Sequence, residues 1–152
     1  MQPSSDELLK LENQLCFPLY AASREIIKQY RPLLDQLGLT YTQYIAMLVF
    51  WQEKRLHVKE LGERLFLDSG TLTPVLKSLE SKGLVHRRRS NEDERMLVVE
   101  ITPAGQALKE KAAYIPQTMM HCLNLSLEES LELYRLLYKQ LGKEKKPPQK
   151  GE

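Results

Sequence analysis

From Ser69 to Lys82 the apolar residues Leu72, Val75, Leu76 and Leu79 fall at i, i+3, i+4 and i+7, one narrow stripe along a helix. The opposite face carries Ser69, Gly70, Thr71, Thr73, Lys77, Ser78 and Ser81, with no large apolar residue to claim it for a core. Such a helix buries one edge and leaves a small, polar face free to approach something closely. A shorter helix is predicted just before it, from about Val58 to Phe66 with Leu61 and Leu65 inward, and Gly83 stops the Ser69 to Lys82 helix as a C′ glycine does. Two extended runs follow, Leu84 to Arg89 and Met96 to Ile101, around the charged stretch Ser90 to Arg95; they predict a β-hairpin with an exposed tip. Pro74 lies beyond the first turn if Asp68 or Ser69 is the N-cap, so either the helix starts near Thr73 or its first turn is distorted.

The rest of the pattern is helical. Between Ser5 and Arg31 the residues Leu8, Leu11, Leu15, Leu19, Ala22, Ile26 and Tyr30 form a stripe that is expected to be buried. Pro18 within it predicts a kink or a helix start near Asn13, and Pro32 and Gly38 close the segment. Thr40 with Gln43 reads as a capping box opening a helix to about Gln52, with Tyr44, Ile45, Leu48 and Val49 on its apolar face. Thr102 and Pro103 are an N-cap and N1 pair, Pro116 is a candidate kink, and Ser126 with Glu129 caps a last helix with the stripe Leu127, Leu131, Tyr134, Leu137, Tyr138 and Leu141. The expected fold is mainly α with a small β-hairpin wing: one domain over residues 1–142, its helix-turn-helix and wing at about 40–102, and a disordered Lys/Pro-rich tail at 143–152.

Helix, turn, helix and hairpin in this order make a winged helix-turn-helix, and each part suits double-stranded DNA. The second helix enters a major groove about 12 Å wide, which demands small polar side chains near base edges and phosphates. Asp68, Ser69, Gly70, Thr71, Thr73, Pro74 and Lys77 are the expected contacts there. The hairpin reaches flanking backbone or minor groove through Arg87, Arg88, Arg89 and Arg95. Glu92, Asp93 and Glu94 at the tip oppose phosphate binding, unless Asp93 orients the Arg95 guanidinium. A net charge of +2 is too near neutrality to identify such a binder by itself. With no apolar run long enough for a bilayer and two cysteines far apart, the chain reads as cytoplasmic, with free thiols and no membrane association. Cys16, Cys122, His57, His86 and His121 have no short ligand spacing apart from the adjacent His121-Cys122 pair, so no metal or other cofactor is expected.

Three segments carry a family resemblance: Leu11-Glu12-Asn13-Gln14-Leu15-Cys16-Phe17, Leu67-Asp68-Ser69-Gly70-Thr71-Leu72-Thr73-Pro74, and Asp93-Glu94-Arg95 before Ile101-Thr102-Pro103-Ala104-Gly105. Together they resemble the MarR family of winged-helix repressors and, within it, the organic hydroperoxide-sensing OhrR-type branch. The resemblance covers nearly the whole chain. It implies a homodimer on a palindromic operator, with helices at about 5–34 and 103–142 interlocked, that is relieved by oxidation of a reactive cysteine. That cysteine corresponds to Cys16, the tyrosines that hydrogen-bond near it to Tyr30 and Tyr41 with Tyr20 close by, the recognition helix to the segment from Asp68, and the wing arginine to Arg95. Cys122 stands near the position of a resolving cysteine that closes an intersubunit disulfide in some members, while others rely on a small free thiol; a passively buried Cys122 is the other reading. The resemblance also implies that the helix tolerates Pro74.

Cys16 precedes Tyr20 by one helical turn, so thiol and phenol share a face if the helix is intact there. A phenol donating to sulfur favours thiolate, which attacks a peroxide oxygen and becomes a sulfenic acid. Three other uses compete: a buried, inert cysteine; a thiol peroxidase, which would leave the helix-turn-helix unexplained; and a repressor gated by a small phenolic ligand with incidental cysteines.

Overall fold

The computed structural model describes residues 3–143. In chain order these form α1 (Ser5–Leu8), a 3₁₀ turn (Leu11–Asn13), α2 (Cys16–Asp35), α3 (Tyr41–Glu53), β1 (Arg55–His57), α4 (Val58–Leu65), α5 (Ser69–Ser81), β2 (Val85–Arg89), β3 (Leu97–Ile101), α6 (Pro103–Ala112), α7 (Ile115–Met120) and α8 (Leu127–Gln140). Two compact units divide between Pro116 and Gln117. Of the expected tail, residues 144–152 lie outside the described residues.

In the first unit α3 is the central helix. Thr40 Oγ1 accepts from the Gln43 N–H and the Gln43 carboxamide accepts from the Thr40 N–H, the reciprocal box that the spacing predicts. Its buried residues Tyr44, Ala46, Met47, Val49, Phe50 and Trp51 surround it on most sides, as suits a helix packed by several neighbours, whereas Leu48, expected inward, is exposed. Around it Leu34, Leu61, Leu72, Leu76, Leu79, Val85, Val98 and Val99 complete a core in which each is at most 2% exposed.

The helix-turn-helix closes at Gly62. A side chain there would place its Cβ 2.7 Å from the Leu67 carbonyl, so only glycine lets the turn fold back, and the Leu67 N–H then donates to the Gly62 carbonyl at 3.0 Å. Phe66 makes the turn at φ +56°, and Asp68 caps α5 by accepting from the Thr71 N–H at 2.7 Å. α5 therefore starts at Ser69, not at Thr73, and continues through Pro74. The carbonyl deprived of its usual donor is that of Gly70, an exposed residue, so the lost bond leaves no buried group unsatisfied.

The wing is larger than the predicted hairpin. β2 and β3 pair antiparallel, with Arg87 opposite Val99, and β1 adds on the far side of β3, with Leu56 opposite Val99, giving the order β1-β3-β2. α6 starts at the predicted Thr102–Pro103 pair, Thr102 Oγ1 accepting from the Gly105 N–H. Pro116 kinks nothing: α6 has ended at Ala112, and Pro116 is the second residue of α7, where a missing N–H costs no bond.

The first segment departs from expectation in three ways. Pro18 does not kink the helix; the long helix does start late, but at Cys16 and not near Asn13, which makes Pro18 its third residue and its missing N–H one that had no partner to lose. Pro32 does not close the segment either, because α2 runs through it to Asp35; the turn comes at Gly38, with φ +66°. Finally, the stripe is not buried within the chain: Leu8, Leu11, Leu15 and Leu19 are 56%, 56%, 86% and 47% exposed.

In the second unit Ser126 and Glu129 form the predicted capping box on α8. The Tyr134 and Tyr138 rings meet at a tilt of 50° with centroids 4.6 Å apart, and none of the residues of α8 is buried.

Candidate nucleic-acid interface and thiol site

Burial of Leu72, Leu76 and Leu79 turns the other face of α5 outward. Ser69, Gly70, Thr71, Thr73, Pro74 and Lys77 are all exposed on it, beginning at the helix N-terminus, where free N–H groups attract anions. Thr73 Oγ1 donates to the Ser69 carbonyl at 2.7 Å. Asp68 is exposed too, but its carboxylate is occupied by capping, and the Thr71 N–H holds it below the usual carboxylate range. Within the chain it starts the helix.

The wing arginines are not equivalent. Arg87 is half-buried, its guanidinium donating to Glu80 Oε1 from Nε at 3.2 Å and Nη2 at 3.1 Å, while its own N–H donates to Glu80 Oε2 at 2.7 Å. That backbone bond, first, then the guanidinium lowers the Glu80 carboxyl below its ordinary range. Arg87 thus bolts the wing to the last turn of α5. Arg88 faces Glu100 across the sheet at 3.7 Å, and Arg89 Nη1 donates to the Glu94 carbonyl at 3.0 Å. Asp93 accepts from the Arg95 N–H at 3.0 Å; it shapes the tip's backbone rather than orienting the Arg95 guanidinium, and Arg95 remains exposed. Glu80 carries no mark in the sequence pattern, because it stands seven residues before Arg87 and only the turn at Gly83 folds the wing back onto it.

Cys16 is exposed and opens α2. Tyr20, one turn on, is also exposed and carries the Arg24 guanidinium 5.4 Å from its ring centre. Tyr30 and Tyr41 do meet, with centroids 5.0 Å apart, and Tyr44 joins them at 5.7 Å from Tyr30 and 6.4 Å from Tyr41. Tyr44 was read from the sequence only as an apolar residue, although its i+3 spacing from Tyr41 places both phenols on one face. Desolvation, then the neighbouring phenols Tyr41 and Tyr44, push the Tyr30 hydroxyl up to about 12, and burial raises Tyr41 and Tyr44 as well. These phenols stay protonated at neutral pH and are thus able to donate hydrogen bonds.

Thiol and tyrosine cluster are not brought together within one chain. Cys16 and Tyr30 lie on one helix fourteen residues apart, about 21 Å at 1.5 Å per residue. Cys122 is half-buried in the second unit, its thiol donating to the Thr118 carbonyl at 3.4 Å.

Residues 28–112 match the family Transcriptional regulator SarA/Rot. The organic hydroperoxide resistance transcriptional regulator of Bacillus subtilis (strain 168) is 54% identical over 130 residues, which span 86% of this chain and 88% of that protein. Among solved structures, reduced AbfR bound to DNA matches with a TM-score of 0.76 at 34% identity, over 91% of this chain and 97% of its own; AbfR is a protein of Staphylococcus epidermidis. The disulfide form of AbfR matches at 0.65 and 36% identity, over 90% of this chain and 93% of its own. With an outward polar α5, a wing bolted to it and relatives that are regulators rather than enzymes, this chain belongs to the MarR-like family of winged-helix transcriptional regulators, in the branch of the organic hydroperoxide resistance regulators.

Proposed function

We propose that this protein is a homodimeric cytoplasmic repressor that grips a palindromic operator through α5 and the wing and releases it when an organic hydroperoxide oxidises Cys16. The observation that carries the reading is the arrangement of α2, with an exposed thiol at one end and, about 21 Å away, a cluster of protonated phenols at the other. In an antiparallel pairing of two chains, the Cys16 end of one α2 meets the Tyr30–Tyr41 end of the other, and two complete sites form. The exposed Leu8, Leu11, Leu15 and Leu19, and the exposed Leu127, Leu133 and Leu136 of α8, supply apolar surface for such a dimer, in keeping with dimerisation segments at about 5–34 and 103–142.

The chemistry follows from the groups present. The Cys16 thiolate attacks the terminal peroxide oxygen, the O–O bond breaks, and the alkoxide takes a proton and leaves as an alcohol; sulfur is oxidised to sulfenic acid and the peroxide reduced. The Cys122 thiol of the partner subunit then attacks that sulfur, a disulfide forms and the sulfenic oxygen leaves as water. Both steps remove the sulfur from its phenol donors. In a dimer reading successive major grooves the two α5 helices must lie about 34–36 Å apart, and displacing them abolishes simultaneous docking. Lys77, Arg89 and Arg95 meet phosphate or base edges in this reading, with Ser69, Gly70, Thr71, Thr73 and Pro74 allowing close approach.

The test uses an operator selected from random duplexes by the reduced protein, followed by gel shift before and after cumene hydroperoxide. Wild type is expected to let go and Cys16→Ser to hold on. A Cys16→Ser protein that still releases the duplex refutes the redox reading and favours gating by a small ligand.

A further inference from the structure

Gln43 and Ser90 are the buried polar residues among those described, and Gln43, at 6% exposure, stands between the tyrosine cluster and α5. It is the third residue of α3, on the same first turn as Tyr41 and Tyr44 and adjacent in sequence to Tyr44. Its Oε1 accepts from the Thr40 N–H at 3.1 Å and from Lys82 Nζ at 2.8 Å, and its Nε2 donates to Ser78 Oγ at 2.9 Å. Lys82 Nζ also donates to the Gly38 carbonyl at 2.5 Å, in the turn just before α3. Capping explains the Thr40 bond alone; the others cross 35 and 39 residues of sequence to the last turn of α5 and its C-cap.

We propose that Gln43 is the positioning residue that couples the tyrosine site to the recognition helix, making the first turn of α3 and the C-terminal end of α5 move as one body. The proposal rests on the redox reading above. A buried amide torn from Ser78 or Lys82 would be left without a partner, so displacement of Tyr41 or Tyr44 carries α5 along instead of sliding past it. Ser69 lies nine residues from Ser78, about 14 Å along the axis. A tilt of about 5° at the Gln43 end therefore moves the DNA-facing end by about 1 Å, enough to spoil hydrogen bonds that tolerate a few tenths of an ångström.

The experiment measures, by fluorescence anisotropy on the selected operator duplex, the ratio of Kd after cumene hydroperoxide to Kd before it. Mass spectrometry follows sulfenic acid formation at Cys16 in the same samples. Gln43→Met keeps the volume and removes the bonds; its ratio is expected to fall at least tenfold below wild type while Cys16 is oxidised at the wild-type rate. In Gln43→Glu a carboxylate accepts from the Thr40 N–H, Lys82 and the Ser78 hydroxyl, and its ratio is expected to stay within threefold of wild type. A smaller fall in Gln43→Met overturns the proposal, as does a Gln43→Glu protein that behaves like Gln43→Met. Should Gln43→Met fail to fold, Ser78→Ala removes one crossing bond at a half-buried position, and a ratio reduced less than threefold overturns it equally. Wild type is measured first: a ratio of one there refutes the redox reading itself, which separates the two failures.

Discussion

Gly105→Ala is the substitution whose consequence can be worked most directly from the structure. Gly105 is the third residue of α6, packed where the end of α5, the sheet and α3 meet. A Cβ there would lie 2.2 Å from the Leu84 carbonyl oxygen and 2.9 Å from Ile101 Cγ1, against the 3.4 Å at which ordinary contact begins. Because the nearest obstacle is backbone, α6 must retreat by roughly 1 Å. That retreat stretches the bond from Trp51 Nε1 to the Gly105 carbonyl, now 2.9 Å, out of hydrogen-bonding range, and loosens the 3.0 Å bond from the Thr102 N–H to Leu84. Overpacking costs about 1–3 kcal/mol and a buried indole N–H without an acceptor about 1–3 more, so about 4 kcal/mol is expected. At about 2–4 °C per kcal/mol for a chain of this size the melting temperature should drop by about 10 °C. Thermal unfolding followed by circular dichroism at fixed protein concentration measures it, and Trp51, the single tryptophan of the chain, reports the local change by fluorescence. Gly38→Ala is the control: its φ is +66° with nothing within 4 Å, so only backbone strain of about 1 kcal/mol applies. A Gly105→Ala protein that melts within about 2 °C of wild type, or no lower than Gly38→Ala, refutes the reasoning.

Lys77→Ala should weaken operator binding and reduce the slope of log K against log salt by about 0.9, the loss of one phosphate contact; an unchanged slope removes Lys77 from the interface. Glu80→Ala and Arg87→Ala should each weaken operator binding, and the double variant should be little worse than either, since Arg87 acts through Glu80 in fixing the wing; additive losses in a double-mutant cycle would show instead that Arg87 meets DNA on its own. The Tyr30 hydroxyl, raised to about 12 by burial first, stays protonated in the folded protein while the unfolded chain ionises near 10. Its environment therefore leaves stability intact below about pH 10 and erodes it as the pH rises toward 12. Tyr30→Phe should flatten that alkaline loss in denaturant titrations, and an unchanged profile contradicts the assignment.

The sequence by itself determined whatever is settled within a few residues. The Thr40–Gln43 and Ser126–Glu129 boxes, the Thr102–Pro103 start and the α5 stripe of Leu72, Leu76 and Leu79 all stand where the spacing placed them, because caps and helical faces satisfy local backbone groups. Pro74 was left open, since a proline penalises a helix locally while the burial of three leucines below it is a tertiary gain that only the fold reveals. β1 was missed for the same kind of reason: three residues, Arg55 to His57, have no period of their own and become a strand only because Val98 to Glu100 offer them a ladder. The resemblance marked Cys16, Tyr30 and Tyr41, yet only the unbroken helix from Cys16 to Asp35 keeps thiol and phenols apart within a chain. Likewise Arg87 read as one of three equal arginines and Gln43 as half of a cap; Glu80, Ser78 and Lys82 decided their roles, because a side chain's partner is fixed by where distant backbone comes to rest.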